Sequence, residues 1–392
     1  MKKIIIVNNN MKIGGVQKSL YNLLWALDAE QKYEVTLLLF RKTGLYAERL
    51  PDSVKVVECS GPFRYLGMSQ SECGNNRRDK IVRSFLAGLS RICGRSTALY
   101  LMLGRQPAVE GTYDCAIAYL HNGRREAFYG GVQEFVLERI QARRKIAFLH
   151  GDYRNCGADH KENHRTLERF DQIAACSDGC RQVLESVLPH LKEKCVTVQN
   201  CHRFEEIRSL AEEDPPFYDK KQVNVVMVSR LTHEKGMERA LEAAAVGIAK
   251  GLTMKLHIVG SGPMEEQLRE RTERLGIQEY VVFYGEQTNP YRYMNKADLL
   301  LITSYHEAAP MIIDEARILG IPTLTTATTS STDMVLGRDC GWVCENSQEA
   351  LNNALYNCAG NRAVLEAYKT KLLQKNADNS VPLAQFCAIL ES

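Results

Sequence analysis

Short apolar runs alternate with longer amphipathic stretches along the chain. Ile4–Asn8, Glu34–Phe40, Val54–Cys59, Asp114–Leu120, Lys145–Leu149, Gln172–Ala175 and Val196–Gln199 are short, rich in β-branched or aromatic residues, and bounded by polar or helical sequence. That is the pattern of buried strands. Gln17–Asp28 puts Leu20, Leu23, Leu24 and Leu27 on one face and reads as a helix. Strands alternating with helices predict a parallel sheet covered on both sides. The alternation stops between His202 and Gln222, where Glu212-Glu213-Asp214-Pro215-Pro216 stands among few large apolar residues. This stretch reads as a linker. A second series follows, with strands at Val223–Ser229, Lys255–Val259, Val281–Tyr284, Leu299–Thr303, Thr323–Thr325 and Gly341–Cys344. Helical patterns at Glu238–Lys250, Met264–Leu275, Pro290–Lys296, Ile312–Leu319 and Gln348–Cys358 separate them. The predicted fold class is α/β, with two doubly wound Rossmann-like domains facing across a cleft. The expected boundaries are 1–203 for the first domain, 204–221 for the linker, 222–375 for the second domain, and 376–392 for a C-terminal helix packing back on the first.

Ligands of open parallel sheets bind at the carboxyl ends of the strands, so the loops after strands carry the candidate chemistry. After the first strand, Gly14-Gly15 opens the first helix, where backbone N–H groups and a positive helix end suit a diphosphate. A simple tight turn is the other reading. Neither Gly-x-x-x-x-Gly-Lys-Ser nor Gly-x-Gly-x-x-Gly is present. After the first strand of the second series come Arg230 and Lys235, cations able to neutralise a departing diphosphate. Gly260-Ser261-Gly262-Pro263 shapes a loop that either passes near a base or ribose or simply turns from strand to helix. Glu307-Ala308-Ala309-Pro310-Met311 runs into a helix containing Glu315. One carboxylate with N–H groups of the helix start can hold sugar hydroxyls, and the other can hold both ribose hydroxyls. Capping of the helix by acidic residues is the structural alternative. His150, and more weakly His121 and Asn122, are polar residues at strand ends.

Charge adds one feature. The net charge of +3 conceals a basic half: residues 1–200 hold 30 Lys and Arg against 21 Asp and Glu. The excess is densest between Arg77 and Arg105, where Arg77, Arg78, Lys80, Arg83, Arg91, Arg95 and Arg105 face only Asp79. Phe85, Leu86, Leu89, Ile92 and Leu99–Leu103 interleave with them. Such a segment can lie on an anionic membrane surface; the alternative is a solvated helix packed on its own domain. No run of about 18 apolar residues is present, which argues against a spanning helix. The first eight residues hold too short an apolar run for an export signal and read as a strand. The 13 cysteines form no Cys-x-x-Cys pair and read as reduced cytosolic thiols. The expected location is cytoplasmic, with peripheral attachment to the inner face of the cell membrane.

Arg230 with Lys235-Gly236, Gly260-x-Gly262-Pro263, Glu307 with Glu315, and Ala316-x-x-x-Gly320-x-Pro322 together resemble the signature of glycosyltransferase family 4, retaining nucleotide-sugar enzymes of the GT-B fold. The match is dense from about 223 to 328. Gly14-Gly15 and Lys145–His150 with Gly151-Asp152-Tyr153 are similar to the acceptor half of that pattern. The chain is most similar in style to bacterial capsule, exopolysaccharide and cell-wall polymer transferases. One departure is Ala308, where the family often carries Gly.

The resemblance implies roles. Glu307 contacts the transferred sugar and His150 lies near the reaction centre. Glu315 holds the ribose, Arg230 and Lys235 stabilise the leaving diphosphate, and Gly14 and Gly15 touch the phosphates. Gly260, Gly262, Ala308, Ala309, Pro310 and Met311 complete the donor site, and His121 and Asn122 are acceptor candidates. It also implies front-side attack through an oxocarbenium-like state, with the leaving phosphate taking the acceptor proton. No Asp-x-Asp occurs, so no metal or other cofactor is expected. The expected donor is a nucleoside-diphosphate sugar, UDP ahead of GDP, and the expected acceptor a saccharide, lipid-linked. A nucleotide-sugar 2-epimerase and a non-catalytic nucleotide-sugar-binding subunit are the rival readings, and no nucleic acid partner is expected.

Overall fold

The computed structural model describes residues 1–74, 76–103, 111–375 and 377–391. The chain divides into two compact units, Met1–Cys201 with Asn379–Ser392, and His202–Asp378.

The first unit carries, among the described residues, a seven-stranded sheet: β1 Lys2–Asn8, β2 Tyr33–Leu39, β3 Lys55–Glu58, β4 Thr112–Ala118, β5 Gln141–Leu149, β6 Gln172–Ala175 and β7 Cys195–Thr197. All pairs are parallel, in the order β3-β2-β1-β4-β5-β6-β7. Side chains of β1 alternate between two cores, as the period of two in a strand requires. Ile5 and Val7 join one cluster with Phe40, Phe63 and Phe135; Ile4 and Ile6 join the other with Leu20, Leu24 and Leu27 of the helix Gly15–Glu30. A sheet buried on both faces explains the unbroken apolar run at Ile4–Val7.

The second unit carries, among the described residues, six parallel strands: β8 Val223–Val228, β9 Met254–Val259, β10 Val281–Phe283, β11 Leu299–Ile302, β12 Thr323–Thr326 and β13 Gly341–Cys344. Their order is β10-β9-β8-β11-β12-β13. In each sheet the order reverses once, between β1 and β4 and between β8 and β11. These are the topological switch points where such sheets open a crevice for ligands.

The stretch expected as a linker begins with a helix, Phe204–Glu212. Only Ile207 and Ala211, one turn apart, are buried, which is why the sequence looked poor in apolar residues. Asn295 caps the far end, its Nδ2 donating to the carbonyl of Ala211 at 3.1 Å and to Glu212 Oε1 at 2.8 Å, and Asn289 Nδ2 donates to the carbonyl of Leu210 at 2.8 Å. The last helix, Ser380–Glu391, lies in the first unit. Phe386 is fully buried there, and Arg144 Nη1 and Lys2 Nζ donate to the carbonyls of Ile389 and Leu390 at 3.0 and 3.1 Å.

The basic segment folds as two helices, Arg77–Cys93 and Arg95–Leu103. Asn76 caps the first, its side chain accepting from the N–H groups of Arg78 and Asp79. The cations do not form one solvated set. Arg95 is fully buried: Nη2 donates to Asn163 Oδ1 at 2.6 Å, Nη1 to the carbonyl of Gly123 at 3.3 Å, and the guanidinium lies 3.7 Å from Glu134. Arg83 turns to the domain, bonding the carbonyl of Met68 at 2.9 Å and Gln70 Oε1 at 3.0 Å. Arg105 lies outside the described residues.

Candidate functional site

In the second unit the site grows from the switch point. The loops after β8 and β11 are adjacent because those strands pair, although about 70 residues separate them. Thr303 Oγ1 donates to the carbonyl of Gly236 at 2.8 Å, and the N–H of Tyr305 donates to the carbonyl of Glu234 at 2.9 Å. The approach is so close that a Cβ on Gly236, which has φ +61°, would stand 2.3 Å from the Thr303 carbonyl oxygen. Only glycine fits there.

This stitching brings Lys235 to Glu307. Nζ donates to Glu307 Oε1 at 2.6 Å, and Ser304 Oγ donates to the same oxygen at 2.7 Å. The ion pair is largely sheltered, the two side chains being 20% and 12% exposed. Charge-assisted bonds in such surroundings hold geometry well. Glu307 therefore does not cap the following helix, Met311–Ile318, whose N-cap Pro310 has no capping side chain. Ala308, Ala309 and Pro310 are half-buried and Met311 is buried. Arg230 is 77% exposed and lies 3.5 Å from Glu234, so it is a solvated cation at the same strand end, apart from the Lys235 ion pair.

The Tyr305 ring has two cation or ring neighbours. The Arg239 guanidinium sits 4.8 Å from its ring centroid, and the His233 ring stacks at 5.2 Å and 11°. Arg239 Nη1 bonds Asn346 Oδ1 at 2.6 Å, and Asn346 Nδ2 bonds the carbonyl of Tyr305 at 3.1 Å. Sequence reasoning placed Ser304 and Tyr305 at the start of the Glu307 motif without a role and missed Arg239 and Asn346; the alternation of element types carries no signal for these contacts.

Gly260 and Gly262 have a reason the sequence did not reveal. A Cβ on Gly260, with φ +138°, would stand 1.9 Å from the Ser229 carbonyl oxygen, and one on Gly262 2.4 Å from that of Leu231. The glycines let the loop after β9 lie against the loop after β8, which is packing between loops and needs no ligand.

Glu315 is buried, beside a buried charge network at Asp314. Asp314 contacts His202 at 3.3 Å and Arg317 at 3.2 Å, and also Arg338. Burial alone would raise its pKa, but Arg338, His202 and Arg317 hold it well below the usual carboxylate range. This network anchors the helix that carries Glu315.

In the first unit the loop after β1 is braced by three asparagines. Asn10 Nδ2 donates to the carbonyl of Gly67 at 3.0 Å, Asn9 Oδ1 accepts from the N–H of Asn10 at 2.8 Å, and Asn8 Nδ2 donates to the carbonyl of Asn10 at 3.1 Å. Lys12 pairs with Glu72 at 2.5 Å. Burial opposes ionisation of Glu72, but bonds from Lys12 and Ser69 hold its pKa down to about 2. Gly14 is extended at φ 170°, and a side chain on Gly15 would meet open space. Neither glycine is demanded by the fold.

His121 follows β4 and His150 follows β5, two paired strands. Burial pushes the pKa of His121 down to about 4; burial and then His121 push that of His150 down to about 3. His121 Nδ1 and His150 Nε2 are buried without a hydrogen-bond partner among the described residues. The His150 ring packs 4.6 Å from that of Tyr119, whose hydroxyl meets Ser19 Oγ at 2.7 Å. Asn122 is different. Its Oδ1 accepts from the N–H of Gly131 at 3.0 Å and its Nδ2 donates to Glu134 Oε1 at 2.9 Å. It is buried and both ends of its amide are engaged, so in this structure it braces the loop at Gly131.

The neutral histidines carry an expected result. Below the unfolded pKa of about 6.5 the unfolded chain binds protons that the folded chain refuses, so stability falls as pH falls toward 4 and 3. Each histidine should cost about 2 kcal/mol at pH 5. Thermal melts at pH 7 and pH 5 check this: the double variant His121→Gln, His150→Gln should lose part of the acid sensitivity, and an unchanged difference would refute it.

Residues 211–374 match the family Glycosyl transferases group 1. The matched stretch is about two fifths of the chain. The group 1 region includes Arg230, Lys235, Gly260, Gly262, Glu307 and Glu315. The chain is similar to the lipopolysaccharide glucosyltransferase WaaG of Escherichia coli, with 33% identity over 141 residues, covering 35% of this chain and 37% of that protein. It is also similar to the uncharacterized glycosyltransferase MJ1059 of Methanocaldococcus jannaschii, with 26% identity over 163 residues and 40% and 39% of the two lengths. The chain thus spans about two fifths of the length of these curated relatives. The Anabaena protein Alr3699/HepE in complex with UDP superposes over 100% of both chains at a TM-score of 0.66 and 17% identity. Both Rossmann-like units are thereby those of the GT-B fold.

Proposed function

We propose that the protein is a retaining glycosyltransferase. In this reading it transfers a hexose-type sugar from a nucleoside-diphosphate sugar, UDP ahead of GDP, to a saccharide acceptor carried on a lipid. The product belongs to capsule, exopolysaccharide or cell-wall polymer biosynthesis, at the inner face of the cell membrane. The observation that carries the reading is the sheltered Lys235–Glu307 ion pair at the switch point of the group 1 region, at 2.6 Å with Ser304 on the same carboxylate oxygen. A cation and a carboxylate locked together at a strand end fit a ligand that is anionic at one end and hydroxylated at the other: a sugar diphosphate.

In this reading Lys235 and Arg230 neutralise charge on the leaving diphosphate, and Glu307 orients the sugar. Glu315 takes the ribose hydroxyls. Met311 and its neighbours Ala308, Ala309 and Pro310 line the sugar end, and Gly15, with open space over its Cα, admits phosphate oxygens. His150, neutral at pH 7 with Nε2 unengaged, offers a hydrogen bond to the sugar, and His121 to the acceptor. The leaving phosphate accepts the acceptor proton as the new glycosidic bond forms on the same face. Positioning and preorganised charge supply most of the rate. No metal is needed in this scheme, because protein cations hold the leaving group.

The test is product analysis with a panel of nucleotide sugars, membrane extract as acceptor source, and excess EDTA. Sugar transfer in EDTA is the expected outcome, with the anomeric configuration of the donor kept. A reaction abolished by EDTA and restored by Mg²⁺ overturns the metal-free scheme. Conversion of the donor without any acceptor identifies an epimerase instead.

A further inference from the structure

The helix Arg77–Cys93 has two apolar faces, and one turn of packing explains only the first. Leu86 is buried, and Val82 and Leu89 pack beside it on the core of the first unit. Arg83 is drawn to the same side by its bonds to Met68 and Gln70. About a third of a turn away, Ile81, Phe85 and Ile92 form a stripe at spacings of four and seven residues. They stand 68%, 63% and 84% exposed. The following helix adds Tyr100 at 79% and Leu101 at 46%. A helix that is only solvated on its outer side has no use for such a stripe.

The charges beside the stripe are of one sign. Arg77, Arg78, Lys80 and Arg91 are exposed and form no ion pair among the described residues. Asp79 is already taken by Arg64 at 2.6 Å and by the Tyr65 hydroxyl at 2.7 Å. Apolar residues flanked by unpaired cations complement an anionic bilayer surface, where side chains sink past headgroups and cations meet phosphates. A second copy of this chain fits poorly, because a two-fold contact sets the same cations against one another.

We propose that the outer face of this helix, Ile81, Phe85 and Ile92 with Arg77, Arg78, Lys80 and Arg91, is a docking surface for anionic membrane lipid. It deepens the proposed function, since a lipid-linked acceptor has to be met at the bilayer, but it is measured without nucleotide or acceptor. Arg83 and Arg95 take no part, being engaged inside the unit.

The experiment is co-sedimentation of the full chain with phosphatidylcholine vesicles, with and without phosphatidylglycerol, at low and high salt. Binding should require phosphatidylglycerol and weaken in high salt. Replacing Arg77, Arg78, Lys80 and Arg91 with Gln should lower partitioning by roughly 10²-fold at low salt, and Ile81, Phe85 and Ile92 with Ser by a similar factor. Transfer to a short water-soluble acceptor reports separately on the proposed reaction, so loss of either result leaves the other readable. No binding to phosphatidylglycerol vesicles, or binding that neither variant weakens, overturns the proposal. So does a wild-type dimer that the serine variant converts to monomer, which makes the face a contact between copies.

Discussion

Lys235→Ala should lower kcat by about 10²-fold or more, on the scale of removing one preorganised charge contact. Two losses combine. The ammonium no longer faces the leaving diphosphate, and Glu307 loses the stronger of the two donors on its Oε1, keeping only Ser304. Ser304→Ala removes a neutral bond and leaves the ion pair, so it should cost less, about tenfold. Lys235→Arg keeps the charge but spreads it over a planar fork, and should recover only part of the rate. Steady-state kinetics with donor titration, beside a thermal melt to confirm folding, decide the matter. A folded Lys235→Ala with wild-type kcat and donor affinity would sink the assignment.

The second large effect separates the two carboxylates. Glu307→Gln keeps size and removes charge, leaving Lys235 beside a neutral amide. Sugar transfer should fall by about 10²-fold while UDP affinity changes little, since Glu307 is assigned to the sugar. Glu315→Gln should do the reverse and weaken UDP binding by about tenfold, the scale of one hydrogen bond to a charged group. Its position beside the Asp314 network makes a thermal melt a necessary control. Calorimetry with free UDP and turnover with saturating donor distinguish the variants. Normal UDP binding and normal transfer in both would leave the carboxylates with structural work only. Helix capping is not that work, because no side chain caps Met311–Ile318.

Much of the architecture was legible in the one-dimensional pattern. Each expected strand is present within a few residues, because strands buried on both faces are short apolar runs with little ambiguity. The misses share a cause. β5 begins at Gln141, four residues before the expected start at Lys145, since the mostly polar Gln141–Arg144 stretch extends the pairing with β4 without adding a run of apolar side chains. The helix Phe204–Glu212 buries two side chains and rests on carbonyl caps supplied from Asn289 and Asn295, about 80 residues away. No local period encodes such support.

The candidate site divides in the same way. Glycines, cations and carboxylates after strands were visible as residue types in loops, and residue type is what a sequence records. Their partners were not. That Lys235 meets Glu307 follows from β8 lying beside β11, and strand order is set by crossover packing rather than by any local run. The sequence could name Gly260 and Gly262 but not say that carbonyls of Ser229 and Leu231 leave no room for a Cβ. It could count the cations from Arg77 onward but not tell Arg95, buried against Asn163, from Arg91, turned to solvent. By itself the sequence determined the element types, the two-series organisation and the loops that can bear chemistry, because hydrophobic period and backbone permissiveness are local properties. Which loops share a site, which charges are paired and which apolar face is left outside were decided by the tertiary structure, because burial and close approach exist only between segments distant along the chain.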